Sequence, residues 1–272
     1  MEIHWGIQRE QEHAAKSSKT TSARQLGQCF PWERVMNTWQ EDLLNLLLAP
    51  GTSPEAIFHR IECAARSLGF EHVAYGFQSP YPVTQPKVLL LNNYPKPWQE
   101  RYAQAGYLFN DPTVVHGRQC QTPLLWGERT FASNPMLWAD AQDHGLKTGW
   151  AQSSLEGNGA GGMFTLCRSA ELLTDRELAA KETRMRWLVQ VAHVSLSRVL
   201  LAQQATQTSS LTLREREVLQ WTADGKSAQD IADILILSKS AVDFHLKNVA
   251  KKLNTSNKTA AVARAALLGL LG

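Results

Sequence analysis

The chain has 272 residues, 43% of them hydrophobic and 19% charged, with a net charge of +3. That length suits two domains, one large enough for a sizeable core, and the composition is that of a soluble globular protein. No apolar run approaches the ~20 residues of a membrane span, and MEIHWGIQREQEHAAKSSK has no apolar secretory core, so a cytoplasmic location is expected.

Residues 1–30, rich in Gln, Lys, Ser and Thr, are expected to form a polar, flexible extension. Amphipathic helices follow near Trp32–Leu48 and Pro54–Leu68, separated by Pro50-Gly51, and then strands over Phe70–Gln78 and Lys87–Asn92. One short helix spans about Pro97–Ala105, a second follows Asp111-Pro112, and a third runs from Asn134 to His144 before Gly145. Strands near Gly149–Leu155 and Met163–Arg168 flank a glycine-rich stretch. Gly157-x-Gly159-x-x-Gly162 formally matches a dinucleotide fingerprint, but Met163–Cys167 reads as a strand, not as the helix whose N-terminus would hold a pyrophosphate. A hairpin is the expectation.

Thr174 and Glu177 make a capping box opening a long helix to about Gln203. Its Leu178, Met185, Leu188, Val191, Leu196, Val199 and Leu200 offer more apolar surface than one intradomain face uses, which suggests a homodimer. ATQTSS at 205–210 reads as a linker. The expected fold class is therefore α+β: residues 31–204 form an α/β/α sandwich, and residues 211–272 a four-helix helix-turn-helix domain. Cys29, Cys63, Cys120 and Cys167 lie far apart and read as reduced thiols, and the eight histidines show no metal-ligand spacing. No metal or cofactor is expected.

The last sixty residues carry the clearest signal. Thr212 with Glu215 is a capping box for a first helix, Ser227 can cap a second over Ala228–Leu235, and Ser238 can cap a third after the Ile236-Leu237 turn. Ser256-Asn257 opens a fourth. In the third helix Val242, Leu246, Val249 and Leu253 form an apolar stripe, and Lys239, Ser240, Asp243, Lys247 and Lys251 face away from it. Residues 208–272 hold nine basic and six acidic side chains, so the chain's whole excess of +3 sits here, as phosphate binding needs. Ser240, Asp243 and Lys247 are candidates for base edges; Lys226, Lys251 and Lys258 are candidates for phosphates. Gly225-Lys226-Ser227 is no P-loop, because Gln220 stands where its first glycine would be.

Between Tyr94 and Trp126 the sequence gathers aromatic residues with polar tips around the carboxylate of Asp111. Tyr94, Trp98 and Tyr102 recur at four-residue steps and can share a helical edge. Apolar walls, indole and phenol donors and one acceptor suit a small ligand bearing an amide and a carbonyl. A purely structural aromatic core, with Asp111 as a helix N-cap, fits the same residues.

YPKPW…Y…DP…W, then GLKTGW and EREVLQWTADGKS…IADIL…S…V.FH..N…KL, together resemble the LuxR family of quorum-sensing transcription regulators, from about Trp39 to Leu270. The resemblance implies a sensor domain that binds an N-acyl homoserine lactone and dimerises. It also implies an inverted-repeat operator in double-stranded DNA and RNA polymerase as a partner. The family's sensor positions fall on Trp98, Tyr102, Asp111, Pro112, Trp126 and Gly149, and its DNA-domain positions on Glu215, Leu219 and Gly225. By resemblance Trp98 donates to the lactone carbonyl, Asp111 accepts the amide N–H, Tyr94 donates to the acyl carbonyl with Thr165 as a second contact, and Tyr102 and Trp126 wall the lactone. Two features depart from the pattern. Residues 1–30 exceed the usual N-terminus, and Asp243 stands where a basic or amide side chain is usual. An orphan regulator of the same fold, acting without an acyl homoserine lactone or with another ligand, is the alternative. No Ser-His-Asp arrangement, paired carboxylates or metal site supports an enzyme.

Overall fold

A computed structural model describes residues 3–6, 53–169, 171–205 and 211–271. The chain forms two compact units. Met1–Gln78, Lys87–Leu155 and Gly161–Val199 make the first; Leu200–Gly272 make the second, together with the short segments Ser79–Pro86 and Glu156–Ala160, which the sequence assigns to the first domain.

The first unit is built on a six-stranded sheet: β1 (Ile3–Gly6), β2 (His72–Gln78), β3 (Val88–Asn92), β4 (Leu124–Leu125), β5 (Thr148–Leu155) and β6 (Gly161–Arg168), in the order β1-β3-β2-β6-β5-β4. Every pairing is antiparallel except that of β1, which lies parallel to β3 in the register Ile3↔Val88 to Gly6↔Leu91. Part of the expected N-terminal extension is thus a strand; the rest of residues 1–30 and the helix expected near Trp32–Leu48 lie outside the described residues. β5 and β6 pair from Thr148↔Arg168 to Leu155↔Gly161, so the glycine-rich stretch closes a hairpin and Gly162 sits inside a strand.

The pleat sorts residues onto two faces. Val73, Tyr75 and Phe77 of β2, Phe164 and Leu166 of β6 and Trp150 of β5 share one face through the register and are fully buried. Helix α5 (Asp175–Ala205) covers that face, where Tyr75 Oη and His193 Nδ1 stand 2.9 Å apart. α1 (Pro54–Ser67) starts at the Ser53 cap and packs against β2 with Ile57, Phe58 and Ile61 buried. Arg168 at the end of β6 and Lys181 both bond Glu177, and Lys181 Nζ also donates to Leu68 O, which ties α5 to β6 and to the end of α1.

Small residues line the opposite face: Ala74 and Gly76 of β2, Thr165 of β6 and Gly149, Ala151 and Ser153 of β5. The layer above it consists of α2 (Lys96–Gln104), a 3-10 turn (Tyr107–Phe109), α3 (Pro112–Gly117) and α4 (Pro135–Asp143). α3 touches the sheet where a Cβ on Gly117 would lie 3.2 Å from Met163 Sδ and 3.4 Å from Ser153 Cβ. Helices on both faces make the α/β/α sandwich expected from the sequence. Of the cysteines, Cys120 and Cys167 are free; the thiol expectation fails at Cys63, which is disulfide-bonded, and Cys29 lies outside the described residues.

The second unit holds α6 (Leu213–Ala223), α7 (Ala228–Leu235), α8 (Lys239–Lys252) and α9 (Lys258–Leu267). Thr212/Glu215 and Ser227/Asp230 are complete capping boxes, and Ser238 and Asn257 accept from Ala241 N and Ala260 N. α8 is central because it feeds two cores. Val249 and Leu253 pack with Leu219, Ala261 and Ala265; Val242 packs with Val218, Ile231 and Ala232. The tight α7–α8 turn puts Ile236 in the left-handed region at φ 55 and leaves it 92% exposed.

Candidate functional site

Trp98 and Tyr102 stand one turn apart on α2, whose N-cap is Pro95. Tyr94 precedes that cap, so it does not share the helical edge expected of it; the helix starts at Lys96, between Pro95 as N-cap and Pro97 in its first turn. Trp98 is buried, in edge-on contact with Tyr102 (ring centroids 5.6 Å apart) and stacked on Tyr107 (6.3 Å). Phe131, Leu137, Ala141, Leu146 and Cys167 complete this core, and Tyr94, Tyr102, Trp126 and Trp138 pack against it. Thr165, buried, lies two residues before Cys167 on the same sheet face, ~7 Å along the strand.

Trp126 reaches the cluster from β4's end. Its backbone N–H donates to Gly149 O at 2.8 Å, and its ring covers Gly149 so closely that a Cβ there would stand 2.2 Å from Trp126 Cδ2. Only glycine fits.

Asp111 is the helix N-cap that the structural reading expects, and its second oxygen is held by Tyr102. Its Oδ1 accepts from Thr113 N (2.8 Å) and Thr113 Oγ1 (2.7 Å) as the N-cap of α3, and its Oδ2 accepts from Tyr102 Oη at 2.9 Å. Burial raises the Asp111 pKa above the ordinary carboxylate value, and the bonds from Thr113 and Tyr102 oppose that rise. Burial also raises the Tyr94 and Tyr102 phenols well above their usual range, so both are neutral donors. It pushes the Cys167 thiol up to about 12. Trp126 Nε1 is buried without a hydrogen-bond partner. The aromatic cluster thus carries donor-bearing rings, and Tyr102 ties the oriented Asp111 carboxylate to it.

Arg101 and Asp140 were not legible from the sequence. Asp140 Oδ2 accepts from Arg101 Nε at 2.6 Å and from Tyr107 Oη, which clamps α2, the 3-10 turn and α4. These hydrogen bonds, Tyr107's first, hold the Asp140 carboxyl below its ordinary range. The pairing spans 39 residues, and no local pattern announces it.

On α8, Lys239, Ser240, Asp243, Lys247 and Lys251 are exposed, and Val242 and Val249 are buried. Ser240 Oγ bonds Ser238 Oγ at 2.9 Å. Lys226 is exposed just before the Ser227 cap, and Lys258 is exposed at the first turn of α9. Lys252 plays another part: its Nζ donates at 2.6 Å to Glu215 Oε2, whose side chain is 5% exposed. Burial would raise the Glu215 carboxyl, but the bonds from Lys252 and Thr212 outweigh it and leave the group below its ordinary value. Phe244, absent from the sequence candidates, stands exposed among them. The described residues hold no His/Cys/Asp/Glu group able to bind a metal and no helix long and apolar enough to cross a membrane.

Residues 53–196 match the family model described as an autoinducer binding domain, and residues 209–265 that of bacterial regulatory proteins of the luxR family. The transcriptional activator protein AnoR of Acinetobacter nosocomialis is 41% identical over 239 residues, 87% of this chain and all of that one. The crystal structure of Escherichia coli SdiA matches with a TM-score of 0.75 at 31% identity, over 86% of this chain and 98% of that chain. A structure of SdiA in complex with octanoyl-rac-glycerol gives 0.73 at 32% identity, over 86% and 96%. CepR2 of Burkholderia cenocepacia, described as an N-acylhomoserine lactone dependent LuxR family factor, gives 0.54 at 28% identity, over 59% and 94%.

Proposed function

The chain belongs to the LuxR family of bacterial transcription regulators, and on that premise we propose that its own ligand is an N-acyl homoserine lactone, sensed in the aromatic chamber of the first unit. The observation that carries this is an acceptor, Asp111, fixed by Thr113 and tied by Tyr102 to the aromatic cluster of Trp98, Tyr94 and Trp126, whose buried Nε1 has no partner. Trp98 donates to the lactone carbonyl, Tyr94 and Thr165 serve the acyl carbonyl, and Asp111 Oδ2 accepts the amide N–H. Tyr102 and Trp126 wall the lactone. Each such bond is worth ~0.5–1.5 kcal/mol net, more with the charged acceptor. They set orientation, and acyl burial at ~25 cal/mol per Å² supplies most of the affinity.

In the second unit α8 is the recognition helix. Ser240, Asp243 and Lys247 address base edges, while Lys226, Lys251 and Lys258 hold phosphates. Acting in the cytoplasm as a homodimer, with α5 contributing to the contact, the protein places two copies of α8 on an inverted repeat with half-site centres ~10 bp apart, where RNA polymerase is its further partner. No catalytic step belongs to this reading.

The test is mass spectrometry of purified protein from cells grown with and without acyl homoserine lactones, together with melting in a panel of chain lengths. Ligand at a hundred times its dissociation constant adds about 2.7 kcal/mol of stability. Failure to retain any lactone, with melting unchanged across the panel, overturns the proposal. The SdiA complex with octanoyl-rac-glycerol supports a second reading, in which an acyl glycerol fills the chamber; the same panel should include one.

A further inference from the structure

Phe244 is 60% exposed in the middle of α8. At ~100° per residue it lies ~200° from Val242, diametrically opposite the buried stripe. Ser240 stands one turn before it on that outer face and Lys247 one turn after it, both exposed. Its ring contact among the described residues is edge-on with neighbouring His245, centroids 5.8 Å apart. Both cores of the unit close without it. The fold therefore has no use for a phenyl ring at this outward-pointing position of the helix.

We propose that Phe244 is a specificity determinant that reads the C5-methyl group of a thymine in the major groove, one per half-site. This rests on the reading of α8 as the recognition helix. A phenyl ring has no hydrogen-bonding group, so it can read neither the donor and acceptor edges of the bases nor the phosphates. The thymine methyl is the apolar feature a major groove offers. The lysines around Phe244 supply the attraction to DNA, and its central position lets it project deepest toward the groove floor. The ring then buries against the methyl instead of against water.

The experiment uses the full chain, saturated with whichever acyl homoserine lactone raises its melting temperature most. Its preferred duplex is selected from a random pool, and each thymine of that site is then replaced singly by deoxyuridine, which removes the methyl and leaves the hydrogen-bonding edge intact. For the unsubstituted protein, one thymine per half-site should lose about fourfold in affinity, the ratio expected for one buried methyl group. For Phe244→Ala the thymine and deoxyuridine duplexes should bind equally, with the salt dependence unchanged. Phe244→Leu, which keeps an apolar tip, should retain part of the preference. The proposal is overturned if no thymine is sensitive to the replacement, or if Phe244→Ala keeps the same thymine-to-deoxyuridine ratio. If the unsubstituted protein selects no sequence at all, the recognition-helix reading itself falls and takes this proposal with it.

Discussion

Tyr102 Oη donates to Asp111 Oδ2 across 2.9 Å, so the carboxylate that caps α3 through Oδ1 is also tied to α2. Two substitutions separate these duties. Asp111→Asn keeps the oxygen needed for the cap, since Asn is an equally good N-cap, but exchanges the second oxygen for an NH₂. Its unliganded melting should stay near that of the parent, while the ligand dose-response shifts by the ~1.5–3 kcal/mol of a charged acceptor, roughly 10- to 100-fold. Asp111→Ala should lose both the cap and the acceptor, and its stability should fall by ~1 kcal/mol as well. A dose-response for Asp111→Asn that matches the parent would remove Asp111 from the ligand site.

Gly149→Ala places a methyl 2.2 Å from the Trp126 ring. Because the glycine is inside β5, the backbone cannot step aside, and overpacking of this kind costs ~1–3 kcal/mol. A lower melting temperature is expected, together with weakened ligand binding as Trp126 is displaced. Gly149→Ala should cost little further stability in a Trp126→Ala background, where the ring it meets is gone, and neither variant should bind like the parent. Equal melting of the Gly149→Ala protein and its parent would show that the ring has room to move.

Lys252 neutralises a buried carboxylate, Glu215. Lys252→Met should destabilise the second unit strongly at neutral pH, by up to ~3–5 kcal/mol, because one charge is left buried without its partner. Adding Glu215→Gln should restore much of the loss, since Gln can still reach Thr212 N to complete the capping box. Hydrogen exchange at the α8 amides is the readout, and a double variant no better than the single one would contradict the ion pair's role.

Glu177 is held at about 2, against an ordinary 4.5, by the Arg168 side-chain bond first and the Lys181 bond second. Its folded-state pKa is depressed. The stability it contributes is therefore fully present above about 4.5 and is lost as pH falls toward 2. Acid titration of the parent should show a loss of stability in that window, with a shallower slope in Glu177→Gln. Identical slopes would mean that the clamp on α5 contributes nothing measurable.

Ile236 sits at φ 55 and 92% exposed in the α7–α8 turn. A β-branched residue in the left-handed region is strained by ~1–2 kcal/mol, and Asn adopts that region more readily. With almost no burial to lose, Ile236→Asn should stabilise the second unit by about 1 kcal/mol. Protection of the α8 amides from exchange should increase. Unchanged or reduced protection would show that Ile236 is held by contacts made elsewhere in the working protein.

The sequence by itself determined what local chemistry controls. The caps Thr212, Ser227 and Ser238 are all realised, because a capping side chain reaches an amide only two or three residues on. Strand and helix bounds in the described parts fall within two residues of those expected, because periods of 2 and 3.6 are written in consecutive positions. The glycine hairpin was legible for the same reason: alternation after Gly162 ruled out a helix. The tertiary structure decided whatever depends on distant partners. Ile3–Gly6 became a strand only through β3, 85 residues on, and four residues inside a polar segment carry no signal of that edge. That the second oxygen of Asp111 is tied to Tyr102 depended on where α2 came to lie, and the need for Gly149 became visible only with Trp126 above it. Phe244 and Ile236 read as ordinary apolar residues until packing assigned the interior of the second unit to others, because burial is a property of the whole fold and not of the residue.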